Sequence, residues 1–388
     1  MTAPLPVVAL LMTLSGGYLR DVYRGIFGYL RMHGRPFRVT MVNDLKFIRT
    51  MTQPAAGVIA LATEAELARR LAALGLPVVN VSGRLDPSGL PTVRVDDHAI
   101  GELAADYFLA NGLRHFAYFG HKGAAIFSRR GDGFIRRLGQ AHACSRLDVS
   151  IRVPTLELRA ADRQRLRRWL RLLPKPVGLL CGTDWVAGAL YEACEELGLR
   201  VGVDLAVLGV DNDEFLCETQ DPPLSSVDTH PNRVGYEAAA IMAGMLRGQP
   251  APLSPVLIPP VGVVQRQSSD LLAVPDPQVA AVLRHIRDHA CEPLSVARLV
   301  PLVSLSRRVL ERRFRACMGY SMLTEIHRMK LERIRERLGH TEQTLEQIAA
   351  ACGFAQVSHM SALFRKKTGQ APGAFRALMR RGRPKNSE

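Results

Sequence analysis

The stretch TLEQIAAACGFAQVSHMSALF, Thr344–Phe364, decides the architecture of the C-terminal part of this chain, because an earlier stretch repeats its pattern. SVARLVPLVSLSRRVLERRF, Ser295–Phe314, aligns Ser295 with Thr344, Leu299 with Ile348, Val303 with Cys352, Leu310 with Met360 and Phe314 with Phe364, with one residue inserted at the turn. Each copy reads as a capping hydroxyl, a short helix, a tight turn and a second helix, which is a helix-turn-helix. In the second copy Met360, Leu363 and Phe364 fall at i, i+3 and i+4 and form one stripe to be buried. Between the copies MLTEIHRMKLERIRERL, Met322–Leu338, reads as one long helix with Leu323, Ile326, Leu331, Ile334 and Leu338 on its apolar side.

Two such units on one linking helix can set both second helices into successive major-groove turns, about 34 Å apart. In the first unit Arg308, Glu311, Arg312 and Arg315 lie at i, i+3, i+4 and i+7, away from Leu310 and Phe314. Arg308 or Arg312 suits the O6/N7 edge of guanine, and Glu311 suits cytosine N4. Glu311 is read equally well as a local ion pair that orients its arginine neighbours. The corresponding face of the second unit carries Ser358, Ser361, Ala362 and Arg365, flanked by Val357 for a thymine methyl and by His359 as a hydrogen-bonding group. It is poorer in strong readers, so the first unit is expected to carry more base specificity. Arg313, Lys366, Lys367 and Arg376 are expected on phosphates, giving affinity and salt dependence without sequence information.

Charge distribution points the same way. The chain has 388 residues and net charge +15, and the residues from Gln278 onward hold 21 Lys+Arg against 9 Asp+Glu, so this block accounts for most of it. Such a block suits a polyanion, most economically double-stranded DNA. The length allows two or three domains. No run of about 18 apolar residues exists, so no membrane span is expected, and the start reads as a first strand rather than a signal peptide. Seven scattered cysteines without a CxxC pair point to reduced thiols in the cytoplasm, with neither disulfide framework nor zinc site.

The first 270 residues have another character. Strand-like runs at Pro6–Met12, Phe37–Val42, Gly57–Leu61, Pro77–Val81, His115–Gly120, Val177–Thr183 and Leu205–Asp211 alternate with helical stretches at Tyr18–Met32, Glu64–Leu74, Asp97–Asn111 and Asp184–Leu197. Apolar runs without polar alternation suit strands covered on both faces, hence parallel sheets in doubly wound α/β units. Ligands in that architecture sit beyond the carboxyl ends of strands. The turn after Met12, Asn80, Asp184 and Asp211 fall there. No GxGxxG, P-loop, HExxH, GxSxG or DxDxDG is present, and nothing requires catalysis, a metal or a cofactor.

The motifs resemble two known families. CGTDWVAGAL (Cys181–Leu190), VLGVDNDEF (Val207–Phe215), PPLSSVDTHPNRVGYEAA (Pro222–Ala239), VVQRQSS (Val263–Ser269) and the segment Val93–Gly120 are similar to the periplasmic-sugar-binding-like core of LacI-type repressors. RRVLERRF, KLERIRERL and IAAACGFAQVSHMSALFRKKTGQAPGAFR resemble the AraC-type DNA-binding domain over about Pro277–Arg380. Against that family's pattern, Pro301 interrupts the first unit's leading helix, Ser304 stands where glycine is usual at the turn, and His359 and Met360 replace an aromatic pair.

The resemblance implies two α/β lobes joined by three crossovers at residues 1–269, a linker at 270–277, a tandem helix-turn-helix domain at 278–383 with units near 295–315 and 344–367, and a tail at 384–388. It implies a small sugar effector in the cleft, with D-xylose foremost and another sugar or polyol as the alternative. It further implies a homodimer that binds operator DNA, meets RNA polymerase and acts as activator or repressor from the nucleoid. In the cleft it marks Asp211 as an acceptor for paired sugar hydroxyls. Asp184 is a second candidate, or else a helix cap. Tyr18 and Arg20 stand where a ring could stack on a sugar and a guanidinium hold its oxygens, or else they simply open a surface helix. Arg130 matches the arginine of an RxxGF element, with Arg129 beside it leaving the register open. Asn80 could face the cleft. A sugar-binding protein without DNA binding and an enzyme remain as other classes.

Overall fold

Apolar strands that need cover on both faces organise the N-terminal part. The structure, a computed structural model, describes residues 5–13, 16–152, 157–270, 276–341 and 343–380. Most of the expected linker (residues 271–275) and the expected tail (384–388) lie outside the described residues.

Lobe 1 begins with β1 (Val7–Leu11), α1 (Gly17–Met32), β2 (Arg38–Val42), α2 (Leu45–Arg49), β3 (Ala55–Ala60), α3 (Ala65–Ala72), β4 (Val78–Asn80) and β5 (Val93–Val95). Lobe 2 follows with α4 (Asp97–Ala110), β6 (His115–His121), α5 (Ala125–Leu138), β7 (Cys144–Val149), β8 (Ile151–Arg152), β9 (Glu157–Leu158), α6 (Ala160–Leu172), β10 (Val177–Cys181), α7 (Asp184–Glu196), β11 (Leu205–Val210), α8 (Glu214–Glu218) and β12 (Ser225–Asp228). The chain then returns to lobe 1 with α9 (Pro231–Leu246) and β13 (Val256–Ile258), and re-enters lobe 2 with β14 (Gly262–Val264). The polypeptide thus crosses between lobes three times, as expected.

The lobe 1 sheet has the order β2-β1-β3-β4, all parallel, with the β5–β13 pair bridged to it at Asn80–Thr92. The lobe 2 sheet runs β14-β12-β11-β10-β6-β7, parallel except for β14. Central strands β1, β10 and β11 are buried throughout, whereas edge strand β2 is largely exposed. Separate apolar clusters line the two sides of each sheet, which is why these strands read as unbroken apolar runs.

Strand β12 escaped sequence reading because its first two residues are serines. Both are fully buried. Ser225 Oγ donates to the Arg266 carbonyl (2.9 Å) and Ser226 Oγ to the Asp184 carboxylate (2.6 Å), so the polar groups lose little on leaving water.

The C-terminal part is helical among its described residues: α10 (Pro277–Asp288), α11 (Val296–Leu299), α12 (Arg307–Met318), α13 (Met322–His340), α14 (Leu345–Ala351), α15 (Val357–Thr368) and α16 (Pro372–Arg380). Two clusters build it. Val279, Leu283, Ile286, Leu299, Leu310 and Phe314 pack the first unit; Ile334, Leu338, Ile348, Met360 and Phe364 pack the second. Helix α13 joins them over about 28 Å. Its stripe differs from expectation at one place: Leu323 is 49% exposed and Met322 takes the buried position.

The units are not equal copies. Helix α14 opens with a full capping box, Thr344 with Gln347. Ser295 makes no side-chain cap bond, and α11 lasts four residues before a 3-10 turn, Val300–Leu302, that contains Pro301. Proline removes the amide that an α-helix needs there. The second turn uses Gly353 at φ 70°, a conformation that Ser304 does not adopt.

Candidate functional site

Two places gather the expected residues: the interlobe cleft and the outer faces of α12 and α15.

The cleft is centred on Asp97, whose carboxylate is fully buried at the start of α4. It accepts from Arg130 Nε (3.0 Å), Arg129 Nε (3.0 Å) and Nη2 (2.8 Å), and Arg94 Nη1 (3.3 Å). A buried carboxylate is tolerable only with such charge-assisted partners. The preceding Asp96 is the helix cap, accepting from the Ala99 amide. From this anchor Arg130, 2% exposed, donates Nη1 to the Gly182 carbonyl (2.6 Å) and reaches Asp211 with Nη2 (3.4 Å). Arg130 thus points to Asp211, while Arg129 spans to the segment after β4, donating to the Gly83 carbonyl (2.5 Å) and Asp86 (2.8 Å).

Asp211 ends β11 with φ 104°, and Asn212 follows at φ 51°. Such backbone is costly for non-glycine residues and is held here by the surrounding structure. The Asp211 side chain keeps 18% exposure and also accepts from Thr229 Oγ1 (3.4 Å). Burial, with the Asp97 charge nearby, pushes its carboxyl up to about 6, against the pull of Arg130. Tyr18 stands opposite. Burial and the Asp211 and Asp97 carboxylates raise its phenol, and its hydroxyl lies 3.5 Å from the Val81 carbonyl. His121, Phe127 and Trp185 form an edge-to-face cluster at the carboxyl ends of β6 and β10. Across the cleft the Gly17 amide donates to the Asp213 carboxylate (2.7 Å). A β-carbon at position 17 would lie 2.8 Å from that oxygen, so glycine permits the approach.

Three expected cleft residues stand elsewhere or are spent internally. Asn80 is fully buried; its Oδ1 accepts from the Ala62 and Ser82 amides and its Nδ2 donates to the Ser82 carbonyl and Thr92. It ties loops together and has no group left for a ligand. Asp184 accepts from Ser226 Oγ and the Asp213 amide (2.8 Å), holding the α8 loop against β12, and burial pushes its carboxyl up to about 8. It is not the cap of its own helix, whose N-cap position is Thr183. Arg20 is exposed on α1, and among the described residues no hydrogen bond joins it to the cluster. The sequence reading missed Asp97 and Asp213, and named Arg129 only as the neighbour that left the register open. The doubled aspartate at 96–97 and the doubled arginine at 129–130 were the signals available.

In the helical part Arg308, Glu311, Arg312 and Arg315 are all exposed and share one shallow concavity of about 450 Å³ with Ala316. Glu311 accepts from Arg307 Nε (2.9 Å), so the local ion pair exists in the free protein. On α15 Ser358, His359, Ala362 and Arg365 are exposed, while Val357 and Ser361 are half-buried. Lys366 and Lys367 are exposed. Two expected phosphate contacts differ. Arg313 donates to Asp276 (3.2 Å), the cap of α10, because it leaves α12 on the side that packs against α10. Arg376 is half-buried, and Glu346 of α14, whose carboxyl is lowered first by its own amide and by Thr344, also feels its charge.

The two parts touch at the end of α4: Arg287 donates to Asn111, Arg114 to the Cys317 carbonyl (3.3 Å) and Tyr320 Oη to the Ala110 carbonyl (3.5 Å). Beside these contacts lies a groove of about 1700 Å³ between lobe 2 and the helices, rich in charged side chains.

Comparison with known proteins agrees with both halves. Residues 105–269 match the periplasmic binding protein-like domain and residues 300–378 a helix-turn-helix domain. The chain is 28% identical to the xylose operon regulatory protein of Haemophilus influenzae, covering 97% of this chain and 99% of that protein. It is 28% identical to the protein of the same name from Escherichia coli K12, covering 95% and 96%. A solved structure of a xylose-binding transcription activator superposes with a TM-score of 0.63 at 27% identity, covering 97% of this chain and 99% of that one. The order of the two parts is therefore accounted for: the chain joins a periplasmic-binding-protein-like sensor to an AraC-type helix-turn-helix domain, the make-up of a DNA-binding transcription regulator similar over nearly its whole length to the xylose operon regulators.

Proposed function

We propose that this regulator is a D-xylose-responsive activator of a sugar-catabolism operon, with the sugar held between the lobes by Arg130, Asp211 and Tyr18. The observation that carries this reading is the Arg130 fork. Anchored on buried Asp97, it presents a fixed donor beside a half-shielded carboxylate, which together suit vicinal hydroxyls. His121 and Trp185 offer apolar edges for a sugar ring. The sensor would comprise residues 1–269 and the DNA-binding domain residues 278–383. Helices α12 and α15 would enter adjacent major-groove turns, with Arg308, Arg312 and Arg315 on bases and Lys366 and Lys367 on phosphates. Because the helical part contacts lobe 2 at α4, closure would move lobe 1 against lobe 2 and helices together. In a homodimer that movement would reset half-site spacing and present the bound pair to RNA polymerase in the cytoplasm. Sugar drives the shift only through tighter binding to the closed state.

The test is thermal unfolding of the full chain against a panel of pentoses and hexoses. Ligand at about 100 times its Kd should stabilise the native state by about 2.7 kcal/mol. A saturable shift with D-xylose supports the effector assigned here. A shift with another sugar alone replaces it, and no shift with any sugar removes the sensing function.

A further inference from the structure

Two thiols that the sensing and reading functions leave unused meet where the helical units join. Cys352 caps α14 at its C-terminus and is fully buried in the second unit's core. Cys291 follows α10, which packs into the first unit's core, and it is half-exposed. The two segments approach very closely: a β-carbon on Gly353 would lie 2.5 Å from the Glu292 carbonyl oxygen and 2.7 Å from that of Cys291. That approach sets Cys291 and Cys352 side by side, each thiol the first influence on the other's titration.

The surroundings are cationic. Lys330 of α13 is 6% exposed, donates to the Gly353 carbonyl (2.9 Å) and lies 4.6 Å from the Phe354 ring centre. Among the described residues no ion pair joins it to a carboxylate, and burial lowers its ammonium. Arg333 and Arg337 lie on the same helix and act on Cys291 in the same sense. The neighbouring Cys352 thiol, then these cations, hold the Cys291 thiol below the usual thiol range. Burial pushes the thiols of Cys144, Cys181, Cys194 and Cys217 the other way. A half-exposed, cation-flanked thiol beside a buried second thiol is the arrangement of a reactive cysteine with a resolving partner.

We propose that Cys291 and Cys352 form a reversible intramolecular disulfide on exposure to hydrogen peroxide, an oxidant-sensitive staple between the two helix-turn-helix units. The Cys291 thiolate attacks one peroxide oxygen; the O–O bond breaks, hydroxide leaves, and Cys291 becomes a sulfenic acid. The Cys352 sulfur then attacks the Cys291 sulfur; the S–O bond breaks and its oxygen departs as water with the thiol proton. Two thiols are oxidised and one peroxide is reduced to two waters. Closing the neighbouring thiols to a bond of ~2.05 Å draws the α14–α15 turn toward the segment after α10. The spacing of α12 and α15 changes with it. That consequence rests on the reading faces proposed above; the disulfide itself does not.

The experiment uses the full reduced chain treated with hydrogen peroxide, trapped with N-ethylmaleimide, digested and mapped by mass spectrometry. The expected product is a peptide linking Cys291 to Cys352, cleaved by dithiothreitol, with iodoacetamide labelling Cys291 at pH 7 at least ~10-fold faster than half-buried Cys317. Anisotropy on a duplex selected from a random pool by reduced protein should show affinity falling ~10-fold on oxidation, the loss of about one base contact. Dithiothreitol restores it, and Cys291→Ser abolishes the response with the melting profile preserved. Sulfinic acid at Cys291 without the link, a link between two chains, or no modification overturns the staple on wild-type protein alone. A link that leaves affinity unchanged overturns the switch. The mapping needs no DNA, so failure to select any duplex counts against the reading faces only.

Discussion

Replacing Arg130 by methionine keeps the unbranched stem of the side chain and removes its fork. Four contacts go with it: Asp97, the Gly182 carbonyl and Asp211 lose a donor, and Tyr18 loses a cationic neighbour. Breaking a buried ion pair costs about 3–5 kcal/mol. Asp97 keeps Arg129 and Arg94, which sets the cost at the low end, about 3 kcal/mol. For a sensor of this size, that lowers Tm by roughly 6–12 °C. Asp211 loses the group that pulls its carboxyl down, so its pKa rises further above 6 and less of it is ionised at neutral pH. Sugar affinity should therefore fall by roughly 10- to 100-fold, the worth of one charge-assisted bond. Arg130→Lys keeps the charge without the fork and should lie between the two. Calorimetric titration with D-xylose and a melting curve read both effects. If Arg130→Met bound the sugar within about twofold of the native chain, with an unchanged Tm, the cleft assignment and the energetic account of Asp97 would both be wrong.

Further outcomes follow from particular contacts. Arg312→Ala should cost about 1–3 kcal/mol on the selected duplex and relax preference at one base pair, whereas Lys367→Ala should weaken all duplexes alike and reduce the salt slope by about one. Arg313→Ala should leave that slope nearly unchanged, because its guanidinium is held by Asp276; a drop equal to that of Lys367→Ala would show that the pair opens on DNA. Asp184, with its carboxyl raised to about 8, keeps a proton in the native state that the unfolded chain releases near pH 4. Native stability should thus fall as pH rises from about 4 to 8 and level off above. Asp184→Asn keeps the Asp213 amide bond on its Oδ1, turns the other so that Nδ2 donates to Ser226 Oγ, and removes that slope; its Tm should therefore exceed the parent's at pH 8 and approach it at pH 5, and parallel pH profiles would refute the burial argument. Thr344→Ala removes a formed capping box and should cost about 1 kcal/mol, while Ser295→Ala, which has no cap bond to lose, should cost far less.

Much of the molecule was legible because its causes are local. Apolar stripes at i, i+3 and i+4 and the capping hydroxyl of Thr344 lie within one or two turns of each other, so the tandem units could be read without a fold. The fully buried strands announced themselves by composition, since a strand covered on both faces has no polar alternation. Even the asymmetry of the units was visible in Pro301 and Ser304. The chemistry of the cleft was only partly so. Position at a strand end nominates a residue, but it cannot say whether the side chain is already spent. Asn80 and Asp184 qualified by position and are consumed by internal amides and hydroxyls. Asp97, Arg129 and Asp213 act through partners 32, 46 and 196 positions away. The Cys291–Cys352 contact likewise joins segments that no local period relates. Periodicity and caps are properties of neighbours along the chain; the charge, burial and pairing of a buried group are set by whatever the fold brings against it, and those were decided by tertiary structure alone.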